Sequence, residues 1–104
     1  MKKIDFKKLN GLIPVIIQEE ISKEILMLGF MNEEAYKKTS EEKTVYFWSR
    51  SRSKLWKKGE VSGNILFVKS IIIDCDNDSL LIKVKRIKAV CHLGTKSCFE
   101  RKIL

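Results

Sequence analysis

Histidine and proline each occur once in this 104-residue chain, glycine five times and cysteine three times. So little proline and glycine excludes a collagen-like chain and a Pro/Gly-rich disordered one. Three cysteines are too sparse, and odd in number, for a secreted disulfide scaffold. No stretch approaches the ~20 apolar residues of a membrane span. Met1-Lys2-Lys3-Ile4-Asp5 is basic, but no apolar segment with a small-residue cleavage site follows it. The expectation is a cytoplasmic protein with no membrane partner.

What is present suits one soluble domain over residues 1–104: 44% of the chain is hydrophobic and 33% charged. A chain of this length buries roughly two-thirds of its unfolded surface, enough for one core. Lys and Arg number 21 against 13 Asp and Glu, a formal charge of +8. That excess favours an anionic partner, whether nucleic acid, an acidic membrane or a phosphorylated small molecule. There is no internal repeat or linker-like segment.

Strand character dominates. Residues 12–18 (Leu-Ile-Pro-Val-Ile-Ile-Gln) predict a strand, with Pro14 placing its start at a sheet edge. Residues 24–30 predict a second. Asn32 reads as a helix N-cap with Glu33 and Glu34 in the first turn, and Lys37 and Lys38 near an end at Ser40 suit the helix dipole. Residues 44–48 are β-branched and aromatic, hence a strand. Residues 49–64 show little apolar periodicity and read as one long loop, a kind that is usually functional. Strands are expected at 65–73 and 80–84, with a bulge or strand end at Arg86-Ile87 and short final strands at 89–92 and 99–104. About six strands and one short helix make an α+β, mainly β domain.

Three constellations carry chemistry. In Asp74-Cys75-Asp76-Asn77-Asp78, alternate carboxylates of an extended segment project to one side and Cys75 to the other. Oxygen donors so spaced suit Mg²⁺, and a solvated acidic turn is the plainer alternative. An EF-hand is excluded, because Ser79 stands where glycine and Lys85 where glutamate would be needed. The second set is Cys75, Cys91 and Cys98, with the sole histidine, His92, beside Cys91. No Cys-x-x-Cys occurs, so the choice is between buried thiols and soft zinc ligands leaving a position open for water. The third is the 49–64 loop, with Trp48 before it: five basic groups, four serines, two glycines and Trp56. Arginine forks and serine hydroxyls suit phosphate oxygens, and tryptophan offers a face to a base. A nucleotide or a nucleic-acid backbone fits that composition equally. Together the three sets describe a nucleotide hydrolase better than an RNA-binding domain or a structural-zinc module.

Five blocks carry a resemblance: Met27-Leu28-Gly29-Phe30-Met31-Asn32-Glu33-Glu34-Ala35, Trp48-Ser49-Arg50-Ser51-Arg52, the run from Leu55 to Asn64, Asp74 to Asp78, and Cys91-His92-Leu93-Gly94-Thr95-Lys96-Ser97-Cys98-Phe99. In this order they resemble the phosphoribosyl-AMP cyclohydrolases of histidine biosynthesis. The resemblance implies hydrolysis of the N1–C6 bond of the substrate's adenine ring, with a zinc-activated water as nucleophile. It implies Zn²⁺ held by Cys75, Cys91 and Cys98, and Mg²⁺ held by Asp74, Asp76 and Asp78. It further implies a barrel-like, mainly β fold capped by a helix, in an intertwined homodimer whose zinc site draws cysteines from both chains. His92 is the expected proton-transfer group. The expected substrate contacts are Trp48, Ser49, Arg50, Ser51, Arg52, Trp56, Lys57, Glu60, Ser62 and Asn64, with no nucleic-acid partner. Gly29-Phe30 stands where Ala-Tyr is common, and Val61 and Leu93 stand where threonine is common. The Gln and Gly usual before Cys91 are replaced around residues 86–88.

Overall fold

The computed structural model describes residues 4–86 and 96–104. Its elements run β1 (Ile13–Glu19), β2 (Ile25–Met31), α1 (Glu33–Glu42), β3 (Tyr46–Ser49), β4 (Lys54–Lys57), β5 (Leu66–Ile73) and β6 (Leu80–Arg86). The α+β, mainly β expectation is met. No described helix is long and apolar enough to cross a membrane.

Four strands form one sheet in the order β2-β1-β6-β5, and β3 and β4 form a separate antiparallel hairpin. Among the described residues the sheet is open, which corrects the barrel-like expectation. Closure requires the two edge strands to pair with each other, and four strands are too few to curl that far. Each edge instead meets a different segment. On the β2 side, Ser97 Oγ donates to the Ile25 carbonyl at 2.7 Å and the Cys98 N–H to the Leu26 carbonyl at 2.7 Å. On the β5 side, Thr44 bridges to Phe67. Pro14 does not mark a sheet edge either, since β1 is flanked on both sides. The β6 ladder begins at Val15, one residue past the proline, so its missing N–H breaks no rung there.

Alternation along the strands sends Ile13, Val15, Ile17, Ile82 and Val84 inward, all 0% exposed. They meet Phe47 of the hairpin and Ala35 of the helix, and each large apolar side chain so buried contributes roughly 1.5–3 kcal/mol. On the opposite face, Ile72 pairs with Leu81, Leu81 with Ile16, and Ile16 with Leu28. This row of aliphatic side chains crosses all four strands. Ile72, Ile16 and Leu28 are 43%, 38% and 46% exposed.

Asn32 caps α1 as expected, its Oδ1 accepting the Ala35 N–H at 2.8 Å. The helix runs past Ser40 to Glu42, where Lys43 takes a left-handed conformation and donates its N–H to the Thr39 carbonyl at 2.9 Å. Lys37 and Lys38 therefore miss the last turn, which holds no basic residue. Thr39, fully buried, donates to the Ala35 carbonyl and accepts the Tyr46 N–H, tying helix to hairpin.

The 49–64 segment is not one loop, because it contains β4. Four residues with apolar side chains only at Leu55 and Trp56 are too short a pattern to read as a strand; pairing with β3 creates it. The bulge lies on β5, between Val68 and Ser70. Of the bulge or strand end expected at Arg86-Ile87, Arg86 is the last described residue of β6, while Ile87 and the expected strand at 89–92 lie outside the described residues. Residues 99–104 form no strand and are exposed.

Candidate active site

Asp74 organises the β5–β6 turn. Its Oδ1 accepts the N–H of Asp78 at 3.0 Å and of Ser79 at 3.2 Å, and its Oδ2 accepts the Ser79 hydroxyl at 2.6 Å. That hydroxyl, with the backbone amides, holds the Asp74 carboxyl down at about 2. Asp76 accepts the Cys75 thiol at 2.9 Å, which pushes that thiol above its ordinary value. Asp78 pairs with Lys8 at 3.1 Å, and the Lys8 ammonium is raised by that hydrogen bond. The three carboxylates thus face three different partners. Among the described residues, no three His, Cys, Asp or Glu side chains converge on one point.

Cys75 and Cys98 are exposed thiols outside any disulfide. Cys91 and His92 lie outside the described residues. The sheet keeps Cys75 and Cys98 apart. Cys75 sits in the turn feeding β6, at the level where Leu80 pairs with Val15 and Val15 with Gly29. Cys98 is tied to Leu26, three residues down β2 and beyond its free edge. Three strand spacings and three residues of rise put them on the order of 17 Å apart. Two thiolates on one zinc are separated by at most about 4.6 Å.

The hairpin supplies a second feature, a cleft of about 550 Å³. Of the expected substrate contacts, Ser49, Ser51, Arg52, Trp56, Lys57, Glu60 and Ser62 line it; Trp48, Arg50 and Asn64 do not. Trp56 packs its ring 5.3 Å from that of Phe47, so one side is held by the core while the cleft receives another. Trp48 pairs with Leu55, one position along β3, and alternation turns it to the other face of the hairpin. Gly59, buried and at φ 87°, closes the 59–64 turn, where a Cβ would collide with the Asn64 carbonyl group. Lys54 and Lys58 also line the cleft and were not among the expected contacts; the β3–β4 pairing was the missing information. Arg52, Lys54 and Lys57 have no ion-pair partner among the described residues, so the cleft carries unneutralised positive charge against the single carboxylate of Glu60.

Arg50 points elsewhere. Its guanidinium carbon lies 4.0 Å from the ring centroid of Phe30. Phe30 pairs with Pro14, one residue from the Val15–Leu80 rung, so Arg50 stands at the same end of the sheet as the Asp74 turn. A larger cleft of about 900 Å³, which the sequence did not announce, runs between the N-terminal segment, α1 and this turn, with Tyr36, Lys37, Asp76 and Asn77 among its walls.

Residues 27–100 match the family model for phosphoribosyl-AMP cyclohydrolase. A protein of that name from Clostridium botulinum (strain 657 / Type Ba4) is 59% identical over 99 residues, 95% of this chain and 90% of that protein. Another, from Streptococcus mutans, is 53% identical over 100 residues, 96% of this chain and 92% of the relative. A third relative, the histidine biosynthesis bifunctional protein HisIE of Haemophilus influenzae, is 57% identical over 99 residues, which make up 45% of its length. Identity of this degree over nearly the whole chain, with the acidic turn and the basic cleft within the matched span, shows that the chain belongs to the phosphoribosyl-AMP cyclohydrolase family.

Proposed function

We propose that this chain hydrolyses the N1–C6 bond of the adenine ring of phosphoribosyl-AMP, the third step of histidine biosynthesis. The observation that carries the reading is the match to cyclohydrolases along 95% of the chain. In the reaction, the oxygen of water adds to C6 and the N1–C6 bond breaks with its electron pair going to N1, which takes up a proton. C6 keeps its amino nitrogen and becomes a carboxamide, and N1 stays on the ribosylated formimino group. His92, the one imidazole in the chain, is assigned the proton delivered to N1.

Cys75, Cys91 and Cys98 would hold zinc, which thiolates select and which, when bound, supplies water activated at neutral pH. Two of the three are reduced and solvent-facing, which suits ligation. Asp74, Asp76 and Asp78 offer the oxygen donors magnesium prefers, though in the single chain each faces a different partner. Arg52 and Lys57, with Ser51, give the cleft donors for a substrate phosphate, and the ring of Trp56 offers a surface for the base.

A homodimer is part of the reading. The separation of Cys75 from Cys98 supports a zinc site completed by a second chain. The aliphatic row Ile72–Leu81–Ile16–Leu28 supplies an apolar face for that chain to cover. The decisive measurement combines zinc content with ring opening of phosphoribosyl-AMP followed by absorbance. Turnover that falls on chelation and returns with zinc is expected. A zinc-loaded, folded protein that leaves phosphoribosyl-AMP intact overturns the reading.

A further inference from the structure

We infer that Phe30 positions Arg50 to hold a phosphate of the substrate. The inference rests on the reading of this chain as a phosphoribosyl-AMP hydrolase and adds a residue to its binding site. Arg50 is exposed at the tip of the β3–β4 hairpin, and no ion pair engages it among the described residues. A long cation so placed would ordinarily sample many rotamers. Here its guanidinium carbon is held 4.0 Å from the centroid of the Phe30 ring, within cation–π range. A guanidinium held against a ring still has N–H donors with which to grip a phosphate by two parallel hydrogen bonds.

Phe30 is a firm base for this. It is half-buried on β2, in register with Pro14. Its neighbour Gly29 lets the Phe47 ring of β3 rest directly on the β2 backbone, which fixes the hairpin bearing Arg50 against the strand bearing Phe30. The pair lies at the end of the sheet that carries the Asp74 turn, on the face that also bears Ile16 and Leu28. Arg50 and the cleft residue Arg52 therefore present their charges at separate places, as a substrate with two phosphates requires.

Steady-state kinetics on Phe30→Leu, Phe30→Tyr, Arg50→Ala and the double variant Phe30→Leu/Arg50→Ala test this. Leucine keeps apolar bulk and removes the ring, so Phe30→Leu should raise KM about five-fold with kcat held within about two-fold. Phe30→Tyr, which restores the face, should return KM to the parent value. Arg50→Ala should raise KM at least as much, and adding Phe30→Leu to it should change little further. If Arg50→Ala raises KM and Phe30→Leu does not, or if Phe30→Leu acts equally with and without Arg50, Phe30 does not position Arg50. An unchanged KM in Arg50→Ala removes Arg50 from the phosphate site, whatever Phe30 does. A parent protein without turnover refutes the underlying reading instead.

Discussion

A Cβ built on Gly29 would stand 2.5 Å from Cε1 of Phe47, a buried ring that closes the core from the hairpin side. The backbone of β2 and the face of that ring occupy adjoining space with no room for a methyl group. Gly29→Ala should therefore cost about 1–3 kcal/mol, as overpacking does. Urea unfolding measures it, and Phe47→Leu in the same chain should return part of the loss relative to Phe47→Leu alone.

Glu19 accepts the Ser22 hydroxyl at 2.6 Å and pairs with Arg86 at 2.9 Å, and these hold its carboxyl below the ordinary value of 4.5. A depressed value means the folded state favours the ionised form. Its stabilisation is complete above about pH 4.5 in the unfolded reference and disappears as the pH falls through the lower folded value. Glu19→Gln should lower Tm by about 2 °C at pH 7. The gap to the parent should close under acid conditions; a gap that stays constant with pH contradicts the assignment.

If zinc is shared between chains, Cys75→Ala and Cys98→Ala should each lose zinc and turnover. Co-expressing the two defective chains should then restore about a quarter of parental activity, because half the dimers are mixed and each mixed dimer has one intact site. A zinc site wholly within one chain predicts no recovery at all.

Kinetic variants separate binding from chemistry. Arg52→Ala should raise KM about ten-fold, the scale of one charged hydrogen bond, with a smaller effect on kcat. His92→Ala should do the reverse and lower kcat more than it raises KM. An unchanged kcat in His92→Ala would remove the proton-transfer role.

Much of the fold was legible locally. Asn32 announced α1 because capping depends only on residues within one turn, and the β-branched runs announced β1, β5 and β6 because alternation is a local pattern. β4 was not legible. Its four residues become a strand only through Tyr46, Phe47, Trp48 and Ser49 opposite them. The barrel expectation failed for a similar reason, since closure depends on which edges meet. Within the site, the cleft-facing role of Trp56 and the outward turn of Trp48 follow from hairpin register, which composition does not contain.

The sequence by itself determined the family, the single acidic turn, the three thiols, the lone histidine and the excess of positive charge. These are properties of residue identity and order, and they survive without any knowledge of packing. Tertiary structure decided which of those residues stand together. It set Cys75 and Cys98 on the order of 17 Å apart across the sheet, parted Arg50 from Arg52, and laid Ile16, Leu28, Ile72 and Leu81 in one row on the outer face. Distances between residues far apart in the chain are set by strand order and register, and those arise from cooperative packing of the whole domain.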